Sequence, residues 1–442
     1  MAGSGDPVGQ VLATRAGGDH LRALDLASTA VAQLDGAALV SVLIELGELL
    51  DVFGEWAEAE SILSRAVALA ESLQGDDAGE LLVRALAALA YAQGVQCHYA
   101  ETAATLQRAR AFAIAGVTAS QVFVHSAALE VVRGRFTEAL AWIERAESIA
   151  QSATIGTERD KALVAVLSAR ANVERALGQF EHADQLFRRA ADATERLFGS
   201  SSIELARALN ELGVNCKYWG RFDEGEQLYK RAMEIALAAI GAERNPLLTS
   251  LHHNLGGLEH ARGNYAAAEP HARLAVELRR ATAPEHLSLA LDEGALAAVL
   301  EGLGQHEEAE LLLRSALARL EVAPALHRHE LAVTLNNLAA IRYRLGDLDE
   351  AALLYRRALA TKRDLAPDTP ELAVSLNNLA LVLVKQGCTE EALAMYEEAL
   401  TLFRNGLQPT HPSIAKCARN YAKLLREAGR ADQAAALEAE LA

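Results

Sequence analysis

The chain has 442 residues and a mass of 47.2 kDa, with 51% hydrophobic, 23% charged and only 5% aromatic residues, which excludes a disordered polypeptide. With so few aromatics, alanine and leucine supply the apolar fraction, and that composition favours helix over sheet. Lys plus Arg number 42 against 59 for Asp plus Glu; the net charge of −17 argues against nucleic acid or an anionic membrane as a partner.

Residues 1–18 lack the basic and apolar regions of a secretory signal and read as a flexible arm. Asp19 to Leu34 predicts one more helix, a cap on the rest of the chain. The most apolar stretch, Leu81 to Val95, is broken by Arg84 and Gln93, short of the roughly 18 apolar residues of a membrane span. Cys97, Cys216, Cys388 and Cys417 stand singly, without metal or disulfide spacing, so the sequence points to a reducing cytoplasm and to no metal or cofactor.

From residue 37 onward the chain repeats. Glycine followed two residues later by a bulky residue occurs at Gly54, Gly134, Gly178, Gly220 and Gly263, and the anchor glycines continue at Gly304, Gly346, Gly387 and Gly429. Cys97 fills the slot between Gly54 and Gly134, giving ten units of about 42 residues, the period of a solenoid. Five residues after the anchor stands alanine in eight units (Ala59, Ala139, Ala183, Ala268, Ala309, Ala351, Ala392, Ala434), with Gly225 the near-miss. Alanine returns twelve after it, from Ala66 to Ala399; nine after it stands a large residue such as Phe187, Tyr229, Tyr355 or Tyr396. Eight before it stands leucine in most units, including Leu46, Leu212, Leu338 and Leu379. Small residues let helix axes approach and large ones fill the holes, so each unit predicts a helix A, a tight turn at a left-handed glycine, and a helix B. Prolines at Asn245-Pro246, Pro367 to Pro370 and Pro409 to Pro412 fit the linkers.

With the Leu-Asn-Asn-Leu-Ala runs at 335–339 and 376–380, the pattern resembles the tetratricopeptide repeat, in the 42-residue form of kinesin light chains. The resemblance implies an all-α, right-handed superhelical solenoid of about ten antiparallel helix pairs. It is regular over residues 203–442 and degenerate over 19–202, where the spacings around Cys97 and Gly134 vary and the leucine column is lost at Ser126 and Arg170.

No nucleotide-binding, hydrolase or zinc-protease motif is present. His253 and His260 lie seven residues apart, where a helical zinc pair needs one turn, so the chain reads as non-enzymatic. The informative surface is the helix-A face that the resemblance makes concave, found 13, 9, 6 and 2 residues before each anchor. The last three units present Lys416, Asn420, Lys423 and Glu427; Val374, Asn378, Leu381 and Lys385; and Val333, Asn337, Ala340 and Arg344. Earlier ones present Leu291, Ala295, Ala298 and Gly302; Ser250, Asn254, Gly257 and Ala261; and Arg207, Glu211, Val214 and Tyr218.

Asn254, Asn337, Asn378 and Asn420 share one column, suited either to clamping the main chain of an extended peptide or to tying neighbouring helices. The resemblance supports the first role. Arg344, Lys385, Lys416 and Lys423, with Arg419 and Arg426 beside them, suit an acidic segment or a C-terminal carboxylate, or are ordinary solvation. Lys416, Asn420 and Lys423 look like part of a carboxylate clamp. The small residues Gly257, Ala261, Ala295, Ala298 and Gly302 mark either a pocket for apolar anchors or a tightened superhelix. Acidic runs at Asp349-Glu350, Glu390-Glu391 and Glu397-Glu398 read as a solvated outer face. The expected function is a protein-interaction scaffold or adaptor; the alternative is a ligand-gated sensor or recognition subunit controlling a separate effector. A homo-oligomeric contact through the C-terminal end stays open.

Overall fold

The computed structural model describes residues 6–75, 77–112, 116–241, 245–322, 327–365, 369–406 and 412–439. Among them are 22 helices and no strand, an all-α solenoid. Two lead helices, α1 (Pro7–Ala16) and α2 (His20–Ala30), precede ten pairs. The first five are α3 (Gly36–Val52) with α4 (Trp56–Ser72), α5 (Ala78–Val95) with α6 (Tyr99–Phe112), α7 (Val117–Val132) with α8 (Phe136–Ser152), α9 (Thr157–Ala176) with α10 (Phe180–Phe198), and α11 (Ile203–Trp219) with α12 (Phe222–Ile240). The rest are α13 (Pro246–Ala261) with α14 (Tyr265–Thr282), α15 (Ser288–Gly302) with α16 (His306–Leu320), α17 (Arg328–Leu345) with α18 (Leu348–Leu365), α19 (Pro370–Gln386) with α20 (Thr389–Gly406), and α21 (Pro412–Glu427) with α22 (Ala431–Ala439).

The lead expected to be a flexible arm contains a helix. Asp6 caps α1 by accepting from the Val8 amide at 3.1 Å, Pro7 takes the first turn, and Val11 is fully buried beside Ala23 and Ala27 of α2. A buried valine, a proline in the first turn and a cap outweigh the glycines that make the segment look loose. Asp19 caps α2 in the same way, accepting from the Arg22 amide. Of the prolines assigned to linkers, Pro246, Pro370 and Pro412 begin helices, whereas Pro367 and Pro409 lie outside the described residues.

The anchor position has positive φ in every unit, from Gly54 (78°) to Gly429 (77°). Cys97, at 62°, is the one non-glycine residue with positive φ among those described. It closes its turn as the glycines do: its amide reaches the Gly94 carbonyl, and that of His98 reaches Gln93, matching Gly220 to Lys217 and Arg221 to Cys216.

The alanine columns are the core: Ala59, Ala139, Ala183, Ala268, Ala309, Ala351, Ala392 and Ala434 are wholly buried, as are Ala66, Ala146, Ala232 and Ala358. The large residues fill the space between them, and Tyr229 and Tyr396 are among the largest fully buried side chains. Gly225 breaks the column for a steric reason, since a Cβ there would meet Leu258 at 3.0 Å and Cys216 at 3.3 Å.

The outer acidic runs bind their neighbours. Arg314 pairs with Glu350 at 2.9 Å, Arg356 with Glu391 and Arg363 with Glu398 at 2.7 Å, and Arg430 with Glu390 at 2.7 Å, each linking successive units. Asp349 accepts from Gln386 at 2.7 Å. The solvated face expected there is thus a ladder of ion pairs, partly exposed and individually weak.

Two compact units divide the chain: unit 1 comprises Met1–Asn264 with Glu277–His286, and unit 2 comprises Tyr265–Val276 with Leu287–Ala442. The sequence columns become regular at residue 203, so regularity and compactness divide the chain at different places.

Candidate functional site

In unit 2 the helix-A face can be traced residue by residue. Along α19 from Leu372 to Leu383, only Val374, Asn378 and Leu381 escape burial, and Lys385 follows one turn on, exposed. These are the offsets read from the anchors. On α17, Val333 is 39% accessible and on α15 Leu291 is 40%, matching 41% for Val374, so one column carries three exposed apolar residues in consecutive helix pairs. Lys416, exposed on α21, stands next in that column.

The asparagine runs divide their work. Asn336 accepts from the Ser375 hydroxyl at 2.8 Å, tying α17 to α19, and Lys362 donates to the same hydroxyl at 2.8 Å. Asn377 is buried. Their successors Asn337 and Asn378 are half-buried on the accessible face, where their carbonyl oxygens accept long bonds from Asn336 (3.5 Å) and Asn377 (3.4 Å). Asn378 also bonds the Tyr355 hydroxyl, whose pKa rises mainly because it is buried. Asn420 is half-buried on α21. In unit 1, Asn254 donates to the Asn210 side chain at 2.8 Å and so ties α13 to α11.

The cations are not equivalent. Arg344 lies 3.4 Å from Glu301, Lys423 lies 3.9 Å from Glu427, and Arg426 pairs with Glu438. Arg419 donates to the Ala415 carbonyl at 3.1 Å. Lys385 rests 4.3 Å above the Tyr343 ring, a cation–π contact. Among the described residues, Lys385, Lys416 and Arg419 have no carboxylate partner, and of these Lys385 and Lys416 stand on the helix-A face.

The small residues serve different purposes. A Cβ on Gly302 would stand 2.5 Å from the Tyr265 ring, so this glycine seats an aromatic side chain of its own unit. Beside it lies a cavity of about 550 Å³ lined by Tyr265, Glu301, Gly302, Leu303, Gly304, His306 and Arg344. In unit 1, Gly257 leaves room for Lys217, whose Nζ would be 3.6 Å from a Cβ there.

Unit 1 holds a charged network that the repeat columns do not reveal. Arg15 bridges Glu45 at 2.5 Å and Glu48 at 2.6 Å, and Arg84 reaches Glu45 at 3.3 Å. Asp51 lies 3.6 Å from Arg207. Tyr91 faces the His125 ring at 5.5 Å. Burial lowers the His125 pKa to about 4, leaving the ring neutral near pH 7, and it raises those of Asp51 and Glu45. The negative charge of Asp51, with burial, raises the Tyr91 pKa to about 12. Counting nine and six residues back from Gly54, six from Cys97 and nine from Gly134 would have found Glu45, Glu48, Tyr91 and His125, though not their pairing.

The same unit is tied between its ends. Pro246 packs on Gly54, 3.5 Å from where a Cβ would stand, His286 Nε2 lies 3.0 Å from the Val95 carbonyl, and the Trp56 and His286 rings are 4.6 Å apart.

A family model described as tetratricopeptide repeat matches residues 160–238, 247–321, 296–364 and 371–441, more than half of the chain. No curated protein matches. Among solved structures, the apo form of the quorum sensor NprR from B. thuringiensis superposes with a TM-score of 0.55 at 14% identity, covering 82% of this chain and 98% of its own. A Rap protein complexed with Competence and Sporulation Factor gives 0.51 at 14% identity, covering 88% and 98%. BtubC (BKLC) from P. vanneervenii is 24% identical over 54% of this chain and 94% of its own, with a TM-score of 0.43. At these identities the likeness is one of fold. Among the described residues no helix is long and apolar enough to cross a membrane.

Proposed function

The chain belongs to the tetratricopeptide repeat family, and from that premise we propose that it is a non-enzymatic protein-interaction scaffold that captures an extended peptide on the helix-A face of unit 2. One observation carries the reading: the single accessible line along α19 bears Asn378, and Asn337 takes the corresponding place on α17, while Asn336 makes the inter-helix bond. The second amide of each run is thus offered where a ligand's main chain would pass. Lys385 and Lys416 add a preference for an acidic segment or a C-terminal carboxylate. Asn254 belongs to unit 1, where it donates to Asn210, and is not part of this face.

The test is affinity capture with mass spectrometry, comparing the wild type with Asn337→Ala, Asn378→Ala and Asn420→Ala combined. Loss of the captured protein with helicity retained supports the reading; unchanged capture sinks it. A second reading, a ligand-gated sensor controlling a separate effector, is favoured by the Arg207 to Asp51 bridge, which a ligand could open. A radius of gyration that shifts on adding the captured peptide supports the sensor. A constant one supports the passive scaffold.

A further inference from the structure

The apolar column of unit 2 specifies more than a site. Leu291, Val333 and Val374 are about two-fifths accessible each, although a helical face in contact with water alone is normally polar. They occupy equivalent places on α15, α17 and α19, and these helices pack directly, α15 on α17 and α17 on α19. Packed helix axes lie about 8–10 Å apart, so three apolar contacts recur at that interval. One step further the column carries Lys416, a cation without a carboxylate partner among the described residues.

A ligand must match this interval with side chains on one side. A β-strand does so only at every second residue, about 6.6–6.8 Å, and its third residue points away. An α-helix returns to one face every 5–6 Å. A polyproline-II helix has three residues per turn and advances about 9 Å in them, so every third side chain falls on one line at the required spacing. It also has no internal hydrogen bonds, leaving its carbonyls to seek donors, and the amides of Asn337, Asn378 and Asn420 stand one helical turn from the column.

We propose that the helix-A face of unit 2 takes a polyproline-II segment with apolar side chains at every third position and an acidic side chain one interval beyond them, seated on Leu291, Val333, Val374 and Lys416. This rests on the peptide-capture reading and specifies its ligand. The apolar side chains supply most of the affinity, and the Lys416 charge sets the frame.

The probe is a fluorescein-labelled ten-residue peptide with leucine at its first, fourth and seventh positions, glutamate at its tenth and proline elsewhere, together with the reversed sequence, because a polyproline-II ligand can lie in either direction. Fluorescence anisotropy with the full chain should show one of the two binding about tenfold or more tighter than a peptide of the same composition with leucines at alternate positions. Val333→Asp with Val374→Asp should weaken it by about tenfold or more, and the near-isosteric Val333→Thr with Val374→Thr should weaken it to a lesser degree with helicity unchanged. Lys416→Glu should shift the preference to a probe ending in lysine. Equal binding of triplet and alternate peptides overturns the proposal, as does indifference to the valine variants. Dimerisation without probe that Val374→Asp abolishes also overturns it, by assigning the column to a second copy. If these tests fail while the asparagine variant still loses its captured protein, only the ligand's form is wrong. If capture also survives that variant, the groove reading fails with it.

Discussion

Arg207 on α11 and Asp51 on α3 stand 3.6 Å apart although they belong to the fifth and first helix pairs of unit 1. Asp51 also accepts a bond from Trp56, and burial keeps its pKa above the usual carboxylate range. The arginine is 41% accessible, so its attraction is screened, whereas the Asp51 side chain is only 9% accessible and cannot recover water.

The asymmetry predicts unequal variants. Arg207→Ala leaves a carboxylate stranded and should cost about 1–3 kcal/mol at pH 8, more than Asp51→Asn, which leaves a guanidinium able to turn to solvent. An acid with a raised folded-state pKa favours the fold while protonated and loses that contribution as pH rises through its pKa. Removing Arg207 raises that pKa further, so the penalty should grow from pH 4.5 to pH 8. All three tryptophans, Trp56, Trp142 and Trp219, lie in unit 1, so thermal melts followed by their fluorescence report this unit. A penalty independent of pH would rule this account out.

Cys97 occupies the left-handed anchor position with φ of 62°, a conformation that costs an L-residue about 1–2 kcal/mol. Glycine has no such cost but loses more entropy on folding, so Cys97→Gly should stabilise unit 1 by about 0.5–1 kcal/mol. Gly220→Ala imposes the reverse change and should destabilise. The check is the urea midpoint of each variant under reducing conditions.

Much of the fold was legible because the repeat multiplies weak signals. A single alanine says little, but alanine five residues after eight anchors and twelve residues after nine located the helix contacts, and even the placement of Cys97 among glycines followed from period alone. The accessible line of α19 was legible for the same reason. What escaped depends on contacts with no period. The network of Glu45, Glu48, Asp51 and Arg207 joins repeats distant in sequence, and column counting sees only neighbours. The lead was misread because its glycines masked Asp6, Pro7 and Val11. Nor could spacing show that Arg344 is partnered by Glu301 while Lys416 is not, or that Gly302 seats Tyr265.

Gly213 on α11 lies under the ring of Tyr229, and a Cβ there would come within 2.6 Å of Tyr229 Cε1. Tyr229 is fully buried, so the ring cannot swing away, and Gly213→Ala should cost about 1–3 kcal/mol by overpacking. Tyr229→Leu opens a cavity when made alone. Combined with Gly213→Ala it should recover part of the loss, because the new methyl group occupies some of the vacated volume. A double-mutant cycle read by tryptophan fluorescence measures the coupling, and additive penalties would show that the two residues do not share this space.

The ladder on helix B predicts how unit 2 responds to salt and acid. Arg273 on α14 holds Glu308 on α16 through two bonds of 2.5 and 2.9 Å, and it also pairs with Glu269 on its own helix. These hydrogen bonds keep the Glu308 pKa below the usual carboxylate range. A depressed acid contributes stability that is present above its unfolded-state pKa and lost as pH falls through the folded value, so the contribution should fade below about pH 4.5. Both side chains are about two-fifths exposed, which limits the coupling to about 0.2–1 kcal/mol. In a solenoid each unit touches only its neighbours, so a lost bridge loosens one junction before the whole array. Arg273→Gln and Glu308→Gln, singly and together, should therefore raise amide exchange in α16 more than in α20, with the coupling gone at about 1 M salt. Uniform exchange across α16 to α20 would mean that the ladder acts on the array as a whole, and a coupling that persists in salt would mean that contacts other than charge join the two side chains.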